Sequence, residues 1–480
     1  MADAVAVDAR VARRRPADDR AAAGATGSPG GDWPRTTRPL PWLIAGFLAM
    51  VWLVPFDAID LPIQLPFDTK LDRLALATVA VAWILAVAAG GPGAPRLRSS
   101  AVNLPILAFA GVAVASVLLN LDALATLGQT GLALKKLVLL GSYVLFFYIA
   151  ATSVRATEVR PFAVFLVGLS CVAALAVVYE YRTGTNLLYD WARQLLPAGV
   201  TVDVPPGDSK FGRPSVVGPT EHGLAIATLF AMVLPFAIAG AFAGHDRRTR
   251  LLSLAATGLI VAGSVGTLRK TGAVAPAAAL LVLLLYRPRA MLRLLPAGVM
   301  LLAAVQVLAP GAMTRVKAQL FGGVATSSST QGRTNDYEAV LPDVLAHPVL
   351  GRGYGTYDSG ELRILDNDYL GMLIETGFVG VAAYACLVGA VVWACHRMIR
   401  GGGAPASTAL AVAAAAAAVA FGVATALFDV MSFPQAPYMF FFVAGVVVVL
   451  TGRETSPVES PSRARRVAPA AATAPSGSGA

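Results

Sequence analysis

The stretch LDNDYLGMLIETGFVGVAAYACLVGAVVWAC, residues 365–395, decides the fold class. Asp366, Asn367 and Asp368 crowd its threshold and Glu375 stands two helical turns further in, but the rest of the run is almost wholly apolar. A hydrocarbon core of about 30 Å needs roughly 20 helical residues, and the run read as 367–395 is long enough to cross it. Eleven more candidates surround it: 40–55, 73–89, 102–120, 132–152, 161–179, 221–243, 251–267, 272–286, 291–309, 406–428 and 437–451. Backbone polar groups in lipid must pair within their own segment, so such spans are helices. The expected architecture is all-α: a polytopic integral membrane protein with about 12 transmembrane helices and a large extracytoplasmic loop.

Composition agrees. The 480 residues are 56% hydrophobic and 14% charged, with a mean hydropathy of +0.66. A soluble protein carries about 25% charged residues, so the several soluble domains that length alone suggests are excluded. The net charge of +10 does not point to nucleic acid. Its cations gather in short connections and in the tails: Arg96 and Arg98, Arg155 and Arg160, Arg247, Arg248 and Arg250, Arg287, Arg289 and Arg293, Arg397 and Arg400. These alternate with connections holding Asp57, Asp60 and Asp68, then Asp122, then Asp429. The positive-inside rule puts the basic set in the cytoplasm of a plasma-membrane protein, and both termini with it. Cys171, Cys386 and Cys395 lie in apolar runs and make neither a disulfide framework nor a zinc site.

The resulting organisation is a disordered cytoplasmic tail over 1–38, spans 1–9 over 39–309 with an outer connection at 180–220, a large extracytoplasmic loop over 310–366, spans 10–12 over 367–452, and a second disordered tail over 453–480. Arg13, Arg14 and Arg15 resemble a twin-arginine signal, but no apolar stretch follows at the right distance. The two outer connections are long enough to be functional. They carry Tyr189, Trp191, Tyr337, Tyr354 and Tyr357 among prolines and glycines, which suits ordered structure.

Some cations break the charge rule. Arg269 and Lys270, in GSVGTLRKTGAV, fall between two short spans on the outer side, and Arg213 precedes another span that opens on Glu221 and His222. Arg333 lies in the large loop, and Lys135 and Lys136 open the fourth span. Snorkelling side chains are one reading; a cationic pocket in the outer leaflet is the other. Arginine offers a charged fork of donors suited to phosphate oxygens, and in a membrane such a group is carried on a lipid. Few charges fall near the bilayer midplane, where ion-coupled pumps place theirs, so the pattern favours an enzyme over a pump.

The polar motifs resemble those of O-antigen ligases and O-antigen polymerases. DNDYLGMLIETGFVG resembles the signature after the family's large periplasmic loop, a His-Asn pair followed by Tyr-Leu and Glu-x-Gly. HPVLGRGYGTY, residues 347–357, resembles its His-Pro and spaced-glycine turn, which here holds Arg352. GRTNDYEAVL, residues 332–341, resembles its Gly-Arg helix start, and Arg213 and Arg269 match two earlier arginine positions more loosely. Asp366 stands where the ligases carry histidine.

The resemblance implies a membrane glycosyltransferase of cell-surface polysaccharide biosynthesis. It would take an isoprenoid pyrophosphate-linked glycan as donor and a glycan or a lipid or wall component as acceptor, among membrane lipids and without a cofactor or metal. Arg213 and Arg269 would hold the pyrophosphate with Asp366 as acceptor-side base, and Arg333, Lys270, Arg352, Asn367, Tyr369, Glu375 and His222 would contact substrate. Other readings stand beside these roles. Asp366, Asn367 or Asp368 caps the helix; Glu375 pairs with an arginine; His222 caps its span; Tyr354, Tyr357 and Tyr369 belong to an interfacial belt. A flippase or exporter of the same lipid-linked glycan is the rival function. A lipid-phosphate-sugar transferase is a third, with Asp57 and Asp60 as its acidic pair.

Overall fold

A computed structural model of the chain describes residues 31–61, 70–91, 94–197, 200–203, 209–210, 213–243, 246–321, 328–357, 365, 367–402 and 404–454, and only the backbone at 209–210, 213–214, 243, 304, 319, 321, 328–336 and 453–454. Asp366 lies outside these residues, as do the side chains of Arg213 and Arg333 and most of both tails.

The described residues are almost entirely helical. In chain order the helices are α1 (Pro39–Leu53), α2 (Leu71–Ala89), α3 (Asn103–Leu119), α4 (Leu121–Thr126), α5 (Thr130–Ser153), α6 (Val159–Thr183), α7 (Leu187–Leu195), α8 (Gly223–Ala243), α9 (Arg247–Gly266), α10 (Thr271–Tyr286), α11 (Pro288–Leu308), α12 (Ala312–Phe321), α13 (Ser328–Ala346), α14 (Asp368–Arg400), α15 (Pro405–Thr425) and α16 (Gln435–Thr451). Eight of them are long and apolar enough to cross a membrane, and α1, α3, α10 and α16 are shorter apolar helices. The twelve expected spans thus fall on eight such helices and four shorter ones. The expected large loop contains α12 and α13.

Helices apolar all round belong inside the bundle. α8, α15 and α16 form that interior: Ala413–Ala418 and most of Gln435–Val449 are buried, and Phe421 stacks on Phe440 at 4.3 Å. Small residues let backbones approach closely, and α15 packs extensively on α8, α10 and α14. α2, α3 and α11 instead expose leucines and valines on their outer faces.

The connections sort to two ends of the bundle. At one end the strand Arg98–Ser99 pairs antiparallel with Arg453–Glu454, Arg98 donates to the carbonyls of Ala151 and Val154, and Arg38 pairs with Glu158. Residues 32–38, expected within the tail, are ordered there. Trp33 is buried and stacks on Phe162 at 4.4 Å, and its backbone N–H donates to Glu158. A buried carboxylate that pairs an arginine and a backbone N–H gives the chain a fixed point short of α1. At the other end, Ile59–Asp60 pairs with Thr201–Val202, and the polar residues of the candidate site share that end.

Candidate functional site

The 367–378 region is built by a break in α14. Gly377 has φ 65° and ψ −168°, which interrupts the helical ladder and frees backbone groups on both sides. The turn 347–357 supplies their partners. Phe378 N–H donates to Pro348 O (2.9 Å) and Val379 N–H to Val349 O (3.2 Å); in return Arg352 N–H donates to Ile374 O and Gly353 N–H to Glu375 O, both at 3.0 Å. From α3, Ser116 Oγ lies 2.6 Å from the carbonyls of both Leu350 and Glu375, and Asn120 Nδ2 donates to Gly351 O. Gly351, at φ 66°, presses backbone to backbone: a Cβ there would stand 2.3 Å from Glu375 C. The two motifs that carry the family resemblance are therefore one interlocked unit.

Glu375 serves this unit, since its Oε1 accepts from Tyr357 N–H at 3.0 Å. The arginine pairing expected for it is not formed among the described residues. Asn367 caps α14, its Oδ1 accepting from Tyr369 N–H (3.1 Å) while Nδ2 donates to Tyr337 Oη. Tyr369 turns into the bundle: its hydroxyl donates to Gly422 O and its ring packs edge-on against Tyr384. Arg352 pairs with the exposed Asp343 at 3.4 Å and lies over the Tyr357 ring.

Beside this unit sits a polar group of which the sequence motifs contain only Asp368. Asp368 is buried and accepts from Met431 N–H at 3.0 Å. Asp429 faces it, and Lys136 interacts with both Asp368 and Glu375. Lys136 donates to Ser432 Oγ at 2.9 Å, and Ser432 donates to Asp429 Oδ2 at 2.5 Å. Burial pushes the Tyr354 phenol well above its usual range, and the nearby Glu375, Asp368 and Asp429 add to that. Lys136 thus serves this cluster rather than snorkelling to the interface. Charges in an apolar bundle face one another, and that rule would have paired Lys136 with Asp429.

Arg269 occupies a second region of the same end. It is 5% exposed, and its Nη2 donates to Ser215 Oγ at 2.6 Å. Its side chain packs on Gly223, where an added Cβ would lie 3.4 Å from Arg269 Nε. Ser215 follows the short strand Arg213–Pro214 by one residue, so the backbone that carries Arg213 runs beside Arg269. Leu268, just before Arg269, has φ 55°. Such strain in a non-glycine residue persists only where the surroundings impose it. Lys270 is half-buried at the start of α10. His222 accepts from Leu224 N–H and tilts against Phe433 at 5.6 Å, so the 427–434 connection touches both regions.

A third set lies between α1 and α2. Asp57 is buried, and Asp72, Lys70, Glu221 and Gln435 face it. Burial above all, with the Asp72 and Glu221 carboxylates and against Lys70 and Gln435, raises its carboxyl to about 7. Among the described residues, Asp57 Oδ2 and both amide atoms of Gln435 are buried without a hydrogen-bond partner. The acidic pair considered for the third reading is thus separated: Asp57 points into the bundle, and Asp60 is exposed in its short strand.

The structure places Arg269, Lys270, His222, Asn367, Tyr369, Glu375 and Arg352 at one end of the bundle, with the backbones of Arg213 and Arg333 in their own elements. No group of three or more His, Cys, Asp or Glu able to hold a metal occurs among the described residues.

Fold and site together define a helical membrane protein whose polar chemistry gathers at one end. Residues 255–385 match the family described as O-antigen ligase, as the motifs led us to expect. The match takes in Arg269, the 347–357 turn and the break at Gly377, and supports a glycan ligase-type function. No curated protein matches the chain.

Proposed function

We propose that the protein transfers or polymerises a glycan from an isoprenoid pyrophosphate-linked donor onto an acceptor hydroxyl at the outer face of the plasma membrane. The observation that carries this reading is the burial of Arg269 against Ser215 at the end of the bundle that also holds the 347–378 interlock. The basic end, with Arg38, Arg98 and Arg155, is then the cytoplasmic one, and the 310–366 connection is extracytoplasmic.

In the reaction the acceptor oxygen bonds the donor's anomeric carbon while the bond from that carbon to the pyrophosphate oxygen breaks. The acceptor proton passes to a carboxylate, for which Asp366 is the candidate, and the isoprenoid pyrophosphate departs with the electron pair. Arg269 and Arg213 stabilise the charge that develops on the leaving group. A preorganised donor of this kind is worth about 10²- to 10³-fold in rate. In this reading Lys270, Arg333 and His222 contact the donor's headgroup or glycan, while Asn367, Tyr369, Glu375 and Arg352 shape the acceptor side.

The test is reconstitution with a lipid-pyrophosphate oligosaccharide, with and without added acceptor. Arg269→Gln should lower transfer by about 10²-fold or more with melting unchanged. Wild-type transfer by that variant, or movement of the lipid-linked glycan across vesicles without bond formation, would refute the reading.

A further inference from the structure

Arg269 takes its position from a neighbouring segment. Its Nη2 donates to Ser215 Oγ at 2.6 Å. Its side chain also passes Gly223, where a Cβ would stand 3.4 Å from Arg269 Nε and 2.5 Å from Val216 O. The segment 215–223 therefore lies along the arginine, and what fixes that segment fixes the guanidinium. Ser215, Val216 and Leu268 share the wall of a cleft of about 170 Å³ with Glu180, Tyr181 and Arg182 of α6.

Glu180 is the acid in this wall, and it is buried. Its Oε1 accepts from Val217 N–H at 3.2 Å and its Oε2 from Gly218 N–H at 2.8 Å. Gly218, at φ 60°, presses on α6 so closely that a Cβ would stand 2.8 Å from Val177 Cγ2. From the other side, Asn186, which caps α7, donates to Gly218 O at 2.7 Å, and the Tyr189 hydroxyl donates to Thr220 O at 3.1 Å. Thr220 closes the turn on itself, its hydroxyl donating to Val217 O at 2.8 Å.

A buried acid beside cations ordinarily pairs with one of them. Here the arginines turn elsewhere. Arg182 donates to Val307 O at 3.1 Å, and Arg315, on α12, donates to the Tyr181 hydroxyl at 3.3 Å. Around the Glu180 carboxyl stand the two backbone N–H groups and the Asn186 amide. Hydrogen bonds to a carboxylate are stronger than those to a neutral acceptor. Directed onto the backbone, the charge grips residues 217–218 and offers little to an anion in the cleft. A glutamine has the same shape but a single acceptor oxygen, so its amide would set donor against donor at one of the two N–H groups.

We propose that Glu180 is a positioning residue for Arg269: its carboxylate fixes the backbone at Val217 and Gly218, that backbone places Ser215, and Ser215 places the guanidinium. The inference rests on the glycan-transfer function, in which Arg269 meets the leaving group, and adds a residue that acts without touching substrate. A misplacement of about 1 Å in such a group costs on the order of 10²-fold in rate. Because Arg269 acts on charge that develops as the bond breaks, loosening its support lowers turnover more than donor binding.

The experiment follows transfer by the reconstituted full chain from a lipid-pyrophosphate oligosaccharide, with thermal melting alongside. Glu180→Gln and Ser215→Ala should each lower kcat about tenfold, with KM for the donor moving by about threefold at most. Glu180→Asp keeps both acceptor oxygens and should regain part of the loss. Placed on Arg269→Gln, either change should cost no more than about twofold further, because both act through that arginine. If Glu180→Gln does not fold, Glu180→Asp and Ser215→Ala carry the same comparison. A folded Glu180→Gln that transfers like the parent, while Arg269→Gln does not, overturns this inference and leaves the donor reading standing. So does a Glu180→Gln loss that repeats in full on Arg269→Gln, or one carried by KM alone. If Arg269→Gln itself transfers like the parent, both fail.

Discussion

Replacing Gly377 by alanine tests the interlock that joins the two family motifs. The backbone there, φ 65° and ψ −168°, is in a region essentially reserved for glycine, and forcing another residue into it costs about 1–3 kcal/mol. Space adds to the penalty. A Cβ would stand 2.3 Å from Val349 O, 2.4 Å from Val349 C and 2.7 Å from Leu350 N, all of them backbone atoms that cannot swing aside. The turn must withdraw, and the bonds at risk are those of Phe378, Val379, Arg352 and Gly353 N–H with Pro348, Val349, Ile374 and Glu375. At about 1 kcal/mol net for each, strain and the loss of all four bonds together reach roughly 5–7 kcal/mol. Thermal unfolding of the purified protein in detergent, read with polymer or transfer yield, is the assay. Gly371→Ala in the same helix is the control, because nothing lies within 4 Å of its Cβ and alanine favours helix by up to about 1 kcal/mol. Gly351→Ala should behave like Gly377→Ala, and the double variant should cost less than the sum because both break one unit. If Gly377→Ala melts with the Gly371→Ala control, the interlock does not hold this region together.

Asp57 should make stability depend on pH. Its carboxyl is raised from 3.8 to about 7, so the folded state keeps the proton and stability falls as pH rises between those values, by at most about 4 kcal/mol. Asp57→Asn should therefore match the parent near pH 4 and exceed it at pH 8; a pH-independent difference in melting would refute this. Glu375→Gln keeps an acceptor for Tyr357 N–H and should melt like the parent, whereas Glu375→Leu should lose about 1–3 kcal/mol. Loss of transfer in the glutamine variant without loss of stability would show that Glu375 serves substrate rather than scaffold. Lys136→Met removes the cation among Asp368, Glu375 and Asp429 and should destabilise by about 1–3 kcal/mol. Adding Asp429→Asn should restore part of it, and strict additivity in melting would deny the coupling.

The helices were legible because lipid makes no demand for a subtle pattern: a long apolar run is enough. The span expected at 367–395 is Asp368–Arg400 in the structure, and the one expected at 437–451 is Gln435–Thr451. The break at Gly377 was not legible. It sits inside a continuous apolar run, and the groups that make it tolerable come from Pro348–Gly353 and from Ser116, far away in the chain. Lys136 and Ser432 are 296 residues apart, beyond the reach of any local spacing. Arg269 could be singled out because a cation in a tight outward turn breaks a topological rule. Arg182 escaped notice because an arginine closing a span looks like an ordinary interfacial residue until Val307 and the cleft are seen beside it.

The separation of charge at this end has a chemical logic. Arg182 lines the cleft beside Leu268, Arg269 and Arg315 bond two of its wall residues, Ser215 and Tyr181, and Asp368, Glu375 and Asp429 gather elsewhere around Lys136. A leaving pyrophosphate gains negative charge as its bond to the sugar breaks, so a carboxylate beside it would oppose the reaction while arginines favour it. An acceptor hydroxyl must lose a proton and needs the reverse environment. In the glycan-transfer reading, the donor is held by the α6–α9 side and the acceptor is met from the 347–378 side. The connection 427–434 lies between them, its Phe433 against His222 and its Ser432 against Lys136. A change that moved this connection would disturb both partners without touching either charge set.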